Sequence, residues 1–192
     1  MAEHVEFEAL VAWWLAELPD AEAGAVEGHL FGCAACARRG EVLAGLAGGI
    51  RAAVREGRAQ AVVSVPFIEA MKAQGLRLRE YPVPPGGSAR CTLGSGDDAV
   101  ISRMQAELGG VRRLDLLARI EVGGREVHAE RLEDVPFDAG AGEVLFLPSS
   151  AMLRQIPVHI ARVRLVSVEE GAERELGEYT FVHAPQKIGV RY

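Results

Sequence analysis

The sequence predicts an α+β protein of two domains: a small helical bundle over residues 1–75, then an antiparallel β-sandwich, immunoglobulin-like or jelly-roll/cupin-like, over 76–192. Three observations carry this. Apolar residues recur at helical spacing as far as Gly75. Beyond it the spacing shortens toward alternation, and turn signals repeat at hairpin intervals. Strand-like segments then follow one another with no helix between them, the pattern of a sheet-on-sheet domain.

In order along the chain, Phe7, Leu10, Val11, Trp14, Leu15 and Leu18 mark one face of a first helix that Pro19 ends. Asp20 is read as the N-cap of a second helix over about 20–31, with Glu22 in its first turn, Val26 and Leu30 at helical spacing and Gly32 as its stop. A third helix starts at about Ala34, carries Leu43, Leu46, Ile50, Ala53 and Val54 on one stripe, and stops at Gly57. Ser64, Val65 and Pro66 open a fourth helical piece with Phe67, Ile68 and Met71, closed by Gly75. Strands are expected at 89–93, 112–122, 127–135, 143–147, 158–168 and 176–183, with alternation already present at 76–79. Residues 99–108 fit a strand or a helix, so seven or eight strands are expected.

The balance of 21 basic and 27 acidic residues, a net charge of -6, lacks the basic footprint of a phosphate-backbone binder, so no direct nucleic-acid partner is expected. The N-terminus has no basic region ahead of an apolar stretch, and the densest apolar run, 42–50, is far shorter than the roughly 20 residues of a membrane span. A cytoplasmic protein without membrane contact is expected. Three cysteines make no disulfide framework, and in a reducing compartment the pair Cys33 and Cys36 reads as metal ligands or a redox couple.

His29-x3-Cys33-x2-Cys36 is the informative motif. It puts a histidine in the last turn of one helix, a cysteine just past its end and a second cysteine at the opening of the next, so three ligands converge on one point. His4 lies ahead of the first helix, and an antiparallel hairpin of the first two helices returns it beside His29. Two thiolates and two neutral imidazoles make Zn2+ formally neutral, which lowers the cost of burying it. One zinc held by His4, His29, Cys33 and Cys36 is expected, structural or redox-labile. Haem attachment would need His after Cys36, where Ala37 stands, and a thioredoxin-like pair would need a βαβ setting.

This constellation, in this order on helices, resembles the zinc-binding anti-sigma (ZAS) family over residues 1–58. The resemblance implies a helical domain that holds an extracytoplasmic-function-type (group IV) RNA polymerase sigma factor, and a C-terminal domain that receives a signal. With histidine at the first ligand position, only Cys33 and Cys36 could pair within the site, so switching through a first-position thiol is not available. Some members carry a cupin sensor; here the pattern of paired histidines before a glutamate is missing around His128, Glu130 and Glu133. Trp13 and Trp14 are taken as partner-binding residues, because Trp14 lies on the core stripe with Trp13 about 100° away and so small a domain has little room for both. The alternative is that both pack. Acidic residues outnumber basic ones over 1–58, which suits a basic sigma-factor surface.

In the second domain His128, His159 and His183 with Glu130 lie on different expected strands without ligand spacing and are read as core or rim histidines, and Cys91 as a buried strand residue. The expected function is therefore an anti-sigma factor, not an enzyme, that releases its partner on a signal received at the zinc site or the sandwich. The rival is a zinc-stabilised binding module whose sandwich captures a small molecule or protein. A zinc hydrolase would need an open coordination position and a placed general base.

Overall fold

The computed structural model describes residues 4–15, 17–169 and 171–184, except for the Ala47 side chain. Two compact units emerge, residues 1–52 and 53–192. The first is helical: α1 (Phe7–Trp14), α2 (Asp20–Gly32) and α3 (Ala34–Arg55). Leu10, Val26 and Leu43 form its buried centre, with Val5, Val11, Trp13, Leu18 and Leu30 packed against them. The first helix is shorter than its periodicity suggests, because Leu15 caps it and the Glu17 N–H turns back to the Ala12 carbonyl at 2.8 Å. Pro19, not Asp20, is the N-cap residue of α2, and no side chain caps it; Asp20 and Glu22 instead sit in the first turn, where the helix dipole favours them.

The apolar stripes predicted for α1 and α3 are wider than what covers them. Trp14, expected on the core stripe, is 39% exposed, and Phe7 and Leu15 on the same side are exposed as well. Trp13 instead packs on the Leu10 cluster, and its indole N–H donates to Glu27 at 3.3 Å. The cause is geometric: Trp13 and Trp14 flank Leu10 one turn on, and the small core covers the Trp13 side. On α3 only Leu43 and Val54 of the expected core residues are buried, while Val42, Leu46 and Ile50, at i, i+4 and i+8, stand exposed.

The second unit contains β1 (Ala61–Val63), α4 (Val65–Ala73), β2 (Leu78–Val83), β3 (Ser88–Cys91), β4 (Ala99–Gln105), β5 (Leu114–Val122), β6 (Arg125–Leu132), β7 (Glu143–Leu147), α5 (Ser150–Gln155), β8 (His159–Glu169) and β9 (Ala172–His183). The strands form a four-stranded sheet, β1-β7-β4-β2, and a five-stranded sheet, β3-β9-β8-β5-β6. Val83, Met104 and Phe146 of the first share one core with Leu116, Leu165, Tyr179 and Phe181 of the second. The chain is thus mixed α+β, with helices N-terminal and two sheets C-terminal. The purely antiparallel pattern is corrected: β2 runs parallel to β4 and β3 parallel to β9. β3 intervenes between β2 and β4 in the chain, and most of the second unit between β3 and β9, so no hairpin fixes the direction of either pair.

Residues 53–75, assigned to the helical domain from their periodicity, belong with the sheets. β1 pairs with β7, and Val54, Ile68 and Met71 pack with Ile101, Leu145 and Leu147. Helical spacing shows which face is apolar, not what will cover it. Ser64 caps α4 by accepting the Phe67 N–H at 3.3 Å. The ambiguous segment 99–108 forms β4, whose two faces are both covered: Ala99 and Ile101 join the α4 cluster, while Met104 enters the core between the sheets. Burial on both faces removes the alternation that marks a strand.

Gly57 ends α3 in the left-handed region at φ 70°, and a Cβ there would come within 2.6 Å of the Ala151 nitrogen, whose N–H donates to the Gly57 carbonyl at 3.0 Å. Gly57→Ala is therefore expected to destabilise the sheet unit by about 2 kcal/mol or more, from combined strain and steric overlap. Chemical denaturation followed by circular dichroism checks this; an unchanged midpoint would contradict it.

Candidate metal centre

The four residues of the N-terminal motif come together. The donor atoms of His4, His29, Cys33 and Cys36 lie within 4.8 Å of one another, the one such group of three or more His, Cys, Asp or Glu among the described residues. His29 stands in the last turn of α2. Cys33 is the C-cap of that helix, extended at φ -122° and ψ 101°, with its N–H donating to the His29 carbonyl at 2.9 Å. Its own carbonyl accepts the Ala37 N–H at 2.9 Å, so the residue links two helices, and Cys36 follows in the first turn of α3. His4 belongs to the segment before α1, which Arg39 of α3 holds by donating to the Val5 carbonyl at 3.3 Å.

The donor set fits zinc. His4 Nδ1 is 3.4 Å from Cys33 Sγ and 3.6 Å from Cys36 Sγ. A tetrahedral zinc, with Zn–S about 2.3 Å and Zn–N about 2.05 Å, separates neighbouring sulfur and nitrogen ligands by about 3.6 Å. These two separations are close to the edges of such a tetrahedron. His29 Nε2 is buried without a hydrogen-bond partner, an orphaned polar atom that a metal would satisfy. Cys36 is fully buried, Cys33 half-buried and His4 exposed, so the site lies at the edge of a small core.

The Cys33 thiol is pulled below its ordinary value to about 7, chiefly by the Cys36 backbone N–H; burial opposes this, and the His29 side chain and Ala35 N–H add to it. A thiol so placed yields its proton near neutral pH. Protons compete with the metal only below that value. The Cys33 contribution to zinc affinity is expected to be flat above about pH 7 and to fall about tenfold per unit below it. Competition with a zinc chelator across this range checks the slope; a contribution still rising well above pH 7 would contradict it.

In the sheet unit, the histidine readings divide. His128 is exposed, with Nε2 3.7 Å from Glu130, while His159 and His183 are buried. Burial, with the neighbouring His159, lowers His183 to about 4, and burial raises the Cys91 thiol to about 12. Met152 escaped the sequence reading altogether, yet it borders the same cavity as Cys91, His159 and His183; no local spacing signals this.

No protein-family model matches the chain, and no curated protein matches it. A solved structure similar to it, the N-terminal domain of phage TP901-1 ORF48, covers 58% of this chain and 100% of its own at 14% identity and a TM-score of 0.38. So low a score carries no argument about fold or function. Among the described residues no helix is long and apolar enough to cross a membrane.

Proposed function

We propose that the chain is a cytoplasmic anti-sigma factor: its zinc-binding helical unit sequesters an extracytoplasmic-function-type sigma factor, and the second unit, read as a β-sandwich, receives the signal for release. The observation that carries this is the convergence of His4, His29, Cys33 and Cys36 from the segment before α1, the end of α2 and the start of α3, the arrangement by which the chain resembles the zinc-binding anti-sigma family. Four protein ligands close a tetrahedron and leave no position for a substrate, so the zinc is structural and the protein is not a zinc enzyme.

Exposed apolar side chains support a protein partner. Phe7, Trp14 and Leu15 on α1, Val42, Leu46 and Ile50 on α3, and Phe31, 94% exposed, leave the helical unit with more apolar surface than its core uses. Such surface marks interaction sites. The test is to mix the full chain with the sigma factor encoded beside its gene and measure complex formation by gel filtration and calorimetry. A one-to-one complex is expected; failure of that sigma factor to bind the zinc-loaded chain favours the rival, a zinc-stabilised module whose sheets capture a small molecule or protein. The cavity at Cys91, His159 and His183 is the observation that keeps the rival in play.

A further inference from the structure

The end of α3 and the start of α5 are joined through Gly57. Its carbonyl accepts the Ala151 N–H at 3.0 Å and the Ser149 hydroxyl at 2.8 Å. Gly57 also borders a cavity of about 280 Å³, as do Arg55, the last residue of α3, and Arg154 of α5. Among the described residues neither guanidinium forms an ion pair. Each gives one Nη2 bond to a backbone carbonyl, Arg55 to Gln74 at 3.4 Å and Arg154 to Asp97 at 2.7 Å. A guanidinium has five donors, so most of each set is left to solvent or a ligand. The carboxylates on the same border do not neutralise them. Glu56 accepts Arg58 Nε at 2.7 Å, and Asp98 accepts the Arg77 backbone N–H at 2.7 Å, with Arg77 Nε 3.8 Å away.

Ser150 supplies the second observation. It borders the cavity, and its hydroxyl is buried without a partner in a residue 2% exposed. Capping does not account for this hydroxyl, because Ser149 caps α5 by accepting the Met152 N–H at 3.2 Å. A buried hydroxyl that nothing satisfies is costly, and packing alone would be served by alanine.

We propose that this cavity binds a small organic phosphate, a monoester whose phosphate group is held by Arg55 and Arg154 and completed by the Ser150 hydroxyl. Planar guanidinium forks match phosphate oxygens, and a hydroxyl can donate to one more. Charge favours an anion. On a chain of net charge -6, two uncompensated guanidiniums at one cavity make a local positive site. Size favours the ester over the free ion: about 280 Å³ lies near the lower end of small-molecule pockets, roughly 300–1,000 Å³, and the five heavy atoms of phosphate fill only part of it. The site stands whether or not a sigma factor is the partner.

The full chain is titrated at fixed ionic strength with inorganic phosphate and with glycerol 3-phosphate, followed by calorimetry and by the arginine Nε resonances. Saturable one-to-one binding of the ester, tighter than that of the free ion, is expected, with the Arg55 and Arg154 resonances shifting and that of Arg164, which pairs with Glu175, unmoved. Arg55→Gln and Arg154→Gln should each weaken ester binding about tenfold, and Ser150→Ala about threefold, while Arg164→Gln leaves it unchanged. Both arginines are exposed, so their variants should keep the wild-type melting temperature. If a variant does not fold, the wild-type resonances decide. Binding that does not saturate, affinity unchanged in both arginine variants, or an Arg164 shift as large as those of Arg55 and Arg154 each overturn the site, and free phosphate bound as tightly as the ester overturns the choice of an ester. No readout involves a sigma factor, so failure here is distinguishable from failure of the anti-sigma reading.

Discussion

Protein purified without chelator is expected to contain one zinc per chain, and Cys33→Ser with Cys36→Ser to reduce that to background and melt the helical unit. The effect is large because the unit is small. Leu10, Val26 and Leu43 are the buried centre of its apolar cluster, too little on its own to offset the ordering of three helices. Structural zinc contributes on the order of 10 kcal/mol to such domains, and binding is coupled to folding. The ligands also come from three places, the segment before α1, the end of α2 and the start of α3, so losing the ion releases all three elements at once. Elemental analysis gives the stoichiometry and far-ultraviolet circular dichroism the helix content. The sheet unit has its own core and should keep its signal. Unchanged zinc content in the double variant would remove the centre altogether.

Trp14→Ala in the full chain is expected to weaken sigma-factor binding by about 2 kcal/mol, roughly 30-fold, with no loss of zinc. Trp14 is exposed beside Phe7 and Leu15, so truncating it removes contact surface without opening a cavity. Trp13→Ala should act differently: it strips a side chain from the Leu10 cluster and its bond to Glu27, and so lowers the stability of the helical unit as well. Calorimetric titration with thermal melts separates the two effects. Equal affinity for wild type and Trp14→Ala would take α1 out of the binding surface. Both variants belong in the intact chain, because a fragment ending at residue 75 would carry Val54, Ile68 and Met71 without the strands that bury them.

The first four helices were legible where a cap or breaker stood beside a periodic run, but α5, which Ser149 caps, stands between strands where no helix was expected. Ser64 before α4 and Gly57 after α3 are such signals, and each acts through its nearest neighbours in the chain. The strand segments were legible from turns, save β1, three residues long and set between helices, and β4, which is covered on both faces. Which tryptophan would be buried was not legible, since both lie one turn from Leu10 and the covering helices decide between them.

The sequence by itself determined the triad of His29, Cys33 and Cys36, because its members are four and three residues apart and helix geometry converts that spacing directly into proximity, whereas His4 joins them through the packing of the first two helices. It also determined the change from helical to extended texture, a local property of side-chain pattern. Only the tertiary structure decided that residues 53–75 join the sheets, that two strand pairs run parallel, and that Cys91, His159 and His183 stand in one row. The physical reason is common to all three. Strand partners are chosen by burial and ladder hydrogen bonding between segments far apart in the chain, and that free energy belongs to the pair of segments, not to the spacing within either.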